Sequence, residues 1–105
     1  DEARRRLLDA TRLDPTLKAA WENLARLGIM AQDAALARAA LERVITLDPG
    51  DAFAHWNLAI VYGGDPEKRE DSIRHARQAA ALEPSLRAEA EEMIRAISSG
   101  EIPGQ

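Results

Sequence analysis

The residues that could do chemistry in this chain are few, and their spacing argues against catalysis. It has two histidines, His55 and His75, and no cysteine, so neither disulfides nor thiol chemistry is available and the redox compartment is left open. No His-Glu-x-x-His helix, phosphate-cradling Gly loop or nucleophile elbow occurs. Gly63-Gly64-Asp65 lacks the Lys and Ser/Thr of a phosphate loop and reads as a turn. His55 lies at helical spacing from Leu58 and Tyr62 and reads as a partly buried structural histidine. His75 follows Asp71 by one turn, which predicts a surface pair in preference to a metal site. Carboxylates are many but scattered, with no two isolated in an apolar setting that would raise a pKa. The residues predict no enzyme, no cofactor and no metal.

What remains is organisation. The phrase Leu-acid-Pro returns three times, at Leu13-Asp14-Pro15, Leu47-Asp48-Pro49 and Leu82-Glu83-Pro84, with the prolines 34 and 35 residues apart. A fixed period of this size marks stacked units, each covering its neighbour's apolar face. Other columns recur in register. Ala3, Ala37 and Ser72 precede the phrase, followed by Leu7, Leu41 and Ala76, then Ala10, Val44 and Ala79. Each set has the i, i+4, i+7 spacing of one helix face. A second stripe follows each proline: Trp21, Leu24, Ala25; then His55, Leu58, Ala59, Tyr62; then Ala90, Met93, Ile94, Ile97. Each unit is therefore two helices, with the proline stopping one and turning the chain into the next.

The predicted helices span 2–13, 17–30, 34–47, 51–63, 66–82 and 86–98. Asp33 and Asp65 are candidate N-caps, Pro66 suits a first helical turn, and Gly63-Gly64 ends the fourth helix. The stretch 99–105 reads as a flexible tail.

These columns resemble the tetratricopeptide repeat, whose pattern is Trp-x2-Leu-Gly-x2-Tyr, then Ala-x3-Phe, then Pro, over 34 residues. Trp21, Leu24, Ala25, Ala37, Leu41 and Pro49 fill one copy, with Gly28 where Tyr is expected. Leu58, Ala59, Tyr62 and Pro84 mark a second, with His55 in the Trp slot, Trp56 one residue later, and Ser72 and Ala76 displaced by a one-residue insertion. The resemblance covers residues 1–98. It implies an all-α fold, a right-handed α-solenoid of stacked antiparallel helix pairs with about six helices. The organisation it implies is one domain over 1–98: the second helix of a truncated repeat (1–15), full repeats at 16–49 and 50–84, and a terminal capping helix (85–98). Asp1-Glu2-Ala3 matches the start of a second helix, as expected of a piece cut from a longer protein.

Composition sets further bounds. The 105 residues carry a formal net charge of −4, which disfavours a nucleic-acid partner, since that role needs a basic face. Arg4-Arg5-Arg6 reads as a solvated helix face beside Asp1, Glu2 and Asp9. No run approaches the roughly 18–20 apolar residues of a membrane span. Twelve Arg against two Lys, with abundant Ala, is the bias of a GC-rich bacterial gene.

The fourth helix carries two apolar faces. Leu58, Ala59 and Tyr62, with His55, form the motif face, and Phe53, Trp56 and Ile60 a second face roughly 140° away. Equivalent positions in the flanking first helices are Ala19, Glu22, Arg26 and Ala88, Glu91, Arg95, each offering a Glu-to-Arg pair at i, i+4. The resemblance implies that this face lines a concave groove where peptides lie. Phe53, Trp56 and Ile60, beside Asn57, then anchor apolar side chains of a protein or peptide partner, and Glu22, Arg26, Glu91 and Arg95 orient its polar flanks. The competing reading has Phe53 and Trp56 filling the seam between adjacent first helices. Chaperone-tail recognition is disfavoured: of the positions that would hold a ligand carboxylate, Glu22, Arg26, Asn57, Ala88 and Glu92, only Asn57 matches. Besides a binding module, self-association into a homo-oligomer and a substrate-docking arm of a larger enzyme remain as readings.

Overall fold

The structure is a computed structural model, and residues 2–100 are described here. The chain is all-α, with six α-helices and no strand among the described residues. They are α1 (Glu2–Leu13), α2 (Lys18–Met30), α3 (Ala34–Leu47), α4 (Ala52–Gly63), α5 (Arg69–Leu82) and α6 (Arg87–Ser98). Single 3₁₀ turns, Pro66–Lys68 and Pro84–Leu86, precede α5 and α6. Both open on proline, whose fixed φ and missing N–H suit a first turn. The helices predicted from 66 and 86 therefore start as 3₁₀ turns and become α-helical three residues on or sooner. The predicted tail divides: Ser99 and Gly100 follow α6 as a turn, while 101–105 lie outside the described residues.

The recurring Leu-acid-Pro phrase is a recurring helix stop. Asp14, Asp48 and Glu83 each donate a backbone N–H to the carbonyl four residues back, on Ala10, Val44 and Ala79 (2.9, 2.8 and 2.8 Å). The proline that follows has no N–H with which to continue the ladder. The Asp14 side chain then accepts from Thr16 N–H and hydroxyl (3.1 and 2.6 Å), and Glu83 accepts likewise from Ser85. These side chains give the backbone a local partner that favours a turn over a helix. At the start of α3, Asp33 accepts from Leu36 N–H (3.1 Å); at the start of α4, Asp51 accepts from Ala54 N–H (3.0 Å).

The chain divides into two compact units, residues 1–49 and 50–105. In the first, α2 packs along α3, and α1 lies against α2. Its buried residues are Ala20, Leu24, Ala25, Gly28, Ala37, Ala40, Leu41 and Val44, together with Thr11. Gly28 explains the departure from the repeat pattern at that position. A β-carbon built there would lie 2.7 Å from the Ala37 nitrogen and 2.9 Å from its Cα, so only glycine allows the two backbones to approach this closely. Arg4 reaches Asp33 at 3.3 Å and Arg6 reaches Glu2 at 2.7 Å, so part of the basic run is paired on the helix surface.

In the second unit α4 packs along α5, and α6 packs against α5. Ala59, Ala76, Ala90, Met93 and Ile97 form a buried cluster, with Trp56, Ile73, Ala80 and Ile94 packed against it. Ser72, in a column otherwise occupied by alanine, is fully buried. Its hydroxyl donates to the Ala59 carbonyl at 2.7 Å, which satisfies the group on the core face.

One expectation about packing is corrected, that of His75, and two residues of the repeating columns lie nearer the surface than the core. Leu82 is 46% exposed and plays no part in a core. Trp21 is half-buried: its indole N–H donates to the Pro15 carbonyl at 2.8 Å, and the Arg43 guanidinium lies 6.0 Å from its ring centroid. Its ring thus caps the end of the helix pair at the rim. His75 is buried, because helix α5 turns it toward α4, where its ring meets His55.

Candidate binding surface

The surface of interest begins with α4. Its twelve residues lack any charge and are apolar on nearly every side, so packing one face on α5 leaves apolar groups facing out. The buried face carries Ala54, His55, Leu58, Ala59 and Tyr62. On the opposite side Phe53 and Ile60, seven residues apart, share a direction and remain 58% and 47% exposed. Trp56 and Asn57 flank that midline and are half-buried.

The two readings of the aromatics therefore divide between residues. Trp56 is half-buried and packs against the buried cluster of Ala59, Ala76, Ala90, Met93 and Ile97, as the seam reading expects of it. Phe53 projects into solvent. An isolated exposed apolar residue is ordinary, but two large ones along one helix line, beside a half-exposed indole, form a patch of the kind that partner proteins cover.

The charged positions are arranged differently from the expectation. In the first unit, Arg26 donates to the Asn23 side chain at 2.9 Å, and Glu22 faces Lys18 at 3.8 Å, so the predicted Glu22–Arg26 pair does not form. Lys18 is itself drawn to Asp48 at 2.7 Å, tying the start of α2 to the end of α3. In the second unit no ion pair joins Glu91 and Arg95. Both line an open recess between α5 and α6, whose other walls are Arg77, Ala80, Arg87, Ala90 and Ile94. Sequence reasoning missed Arg77 and Arg87, because it compared only the first helices of successive units. The signal was available in the α5 register, where Arg77 follows Ile73 by one turn.

Beneath this surface sits the polar centre of the unit. His55 Nδ1 and His75 Nδ1 are 3.0 Å apart, the rings stack with centroids 5.2 Å apart, and Tyr62 leans on His75 at 5.7 Å. One Nδ1–H donates to the other ring's Nδ1, so the pair is satisfied only when the two rings adopt complementary proton placements. Asp71, one turn before His75, accepts from Arg74 at 2.7 Å. That bond holds its carboxyl below the ordinary carboxylate range. The predicted Asp71–His75 surface pair gives way to a buried histidine pair. Among the described residues no group of three or more His, Cys, Asp or Glu gathers around a common point, and no helix is long and apolar enough to cross a membrane.

No protein-family model matches the chain, and no curated protein matches it.

Proposed function

We propose that this chain is a protein-binding module of the tetratricopeptide-repeat type that takes a peptide or protein segment on the free face of α4 and performs no chemistry of its own. The observation that carries the reading is the exposure of Phe53 and Ile60 along one line of a helix anchored on its opposite side. A rigid, preordered support lets exposed apolar groups bind without the entropic cost of ordering a loop. Trp56, packed against the buried cluster, stiffens the base of the patch, and Asn57 offers an amide beside it for a partner's backbone. Support for the repeat type comes from the helix pairs. α2 with α3 and α4 with α5 bury corresponding columns: Leu24 and Leu58, Ala25 and Ala59, Ala37 and Ser72, Leu41 and Ala76, Val44 and Ala79.

The test is affinity capture from source-cell lysate with wild type and a Phe53→Glu/Ile60→Arg variant, both shown by circular dichroism to be folded. Both substitutions are at exposed positions, so the fold should survive them. The reading expects a protein retained by wild type and lost by the variant. Equal capture by both overturns it.

A further inference from the structure

The recess between α5 and α6 has a chemistry of its own. It is an open depression of about 430 Å³, and its floor is the apolar part of its lining, Ala80, Ala90 and Ile94. Three arginines stand around that floor, Arg77 on α5 and Arg87 and Arg95 on α6, against a single carboxylate, Glu91. In a chain of formal charge −4 this is a local reversal of sign. The ion pairs of the described residues draw on Arg4, Arg6, Arg12, Lys18 and Arg74, none of which lines this recess. Three guanidiniums around an aliphatic floor therefore keep their hydrogen-bonding capacity for a ligand.

We infer that this recess binds an acidic segment of a partner protein, with an aliphatic side chain seated on Ala80, Ala90 and Ile94 and Asp or Glu carboxylates bridged to Arg77, Arg87 and Arg95. The planar guanidinium fork matches a carboxylate in two parallel hydrogen bonds. Glu91 faces the same space and favours a partner backbone N–H or a lysine at one point of the segment. A nucleic acid fits less well. The floor has no aromatic ring on which a base could stack. The inference rests on reading the chain as a peptide-binding module.

The test is selection from a displayed library of random peptides, with a pool of random single-stranded DNA in parallel. The baits are wild type, Arg77→Glu/Arg95→Glu and Phe53→Glu/Ile60→Arg, each checked for helicity. The expected result is enrichment of aliphatic residues flanked by Asp and Glu on wild type. A synthetic peptide of that consensus should bind about tenfold or more weakly to the Arg77→Glu/Arg95→Glu bait. Its affinity should fall as salt rises. Should the charge reversals unfold the chain, Arg87→Gln/Arg95→Gln replaces them. A consensus without acids, binding indifferent to the arginines, or enrichment of DNA in place of peptide overturns the inference. Peptides lost only by the α4 variant overturn it too, while leaving the proposed function standing; no peptide enriched on wild type removes both.

Discussion

Gly28 and Ala37 meet backbone to backbone: a β-carbon on Gly28 would lie 2.7 Å from the Ala37 nitrogen. The contact joins α2 to the first turn of α3, and the obstacle is main chain, which cannot rotate away. Gly28→Ala should therefore destabilise the protein by about 1–3 kcal/mol, as overpacking does, despite the roughly 1 kcal/mol that alanine gains over glycine in helix propensity. Urea unfolding followed by circular dichroism reads the difference. A variant as stable as wild type would mean that the helices do not approach this closely.

The turn that follows the same helix carries strain that can be relieved. Gln32 has φ of 56°, in the left-handed region. Its N–H donates to the Ile29 carbonyl (3.1 Å) and the Asp33 N–H to the Gly28 carbonyl (2.8 Å), the paired bonds of a Schellman cap. Glycine usually occupies that position. Gln32→Gly should raise stability by roughly 0.5–1 kcal/mol, because it removes the β-carbon penalty of the left-handed conformation. A loss of stability in the same unfolding assay would argue against this turn geometry.

Leu24 and Leu82 separate periodic pattern from burial. Leu24 has no exposure, and Leu24→Ala should cost about 2–5 kcal/mol. Leu82 recurs with equal regularity yet is 46% exposed, and Leu82→Ala should fall within about 0.5 kcal/mol of wild type. Trp21→Ala lies between them, near 2 kcal/mol, because the half-buried ring loses part of its contact and one hydrogen bond to Pro15. Thermal melts of the three variants give the order directly.

Asp14 and Asp71 make stability depend on pH in the acid range. The Thr16 hydroxyl and the Arg74 guanidinium hold their carboxyls below the ordinary range, so their contribution is present above that range and is lost as pH falls through the folded values. Asp71→Asn should therefore flatten part of the acid limb of a stability profile read by urea unfolding. An unchanged acid limb would contradict the pairing of Asp71 with Arg74.

The helices were legible because three signals coincided: apolar spacing, Asp N-caps and the Leu-acid-Pro stop. The boundaries at 2–13 and 34–47 match the structure, since both helices end in that phrase. The 3₁₀ turns were hidden, as proline marks a first turn without specifying which hydrogen bond follows it. Among the predicted surface residues, Phe53 was legible from helical geometry, being opposite the motif face. The Glu22–Arg26 pair failed because spacing alone cannot rank competitors, and Asn23 and Lys18 stand closer. His75 was misplaced by attention to its neighbour Asp71 over its column, one position before Ala76 on the face turned to α4. The arginine recess escaped because it draws on two helices that the repeat pattern treats as separate columns.

If Phe53 and Ile60 serve a different protein, the chain should stay monomeric as its concentration rises. Sedimentation equilibrium over a wide range checks this. A mass that doubles in wild type and reverts in Phe53→Glu/Ile60→Arg would assign the patch to self-association instead.

The most direct measurement places a photoreactive benzoylphenylalanine at position 53 in source cells, with Arg38, an exposed residue of α3, substituted in the same way as control. The account predicts a discrete adduct to another protein from position 53 and none to that protein from position 38. No adduct from position 53, or the same adducts from both positions, would contradict a binding role for the free face of α4.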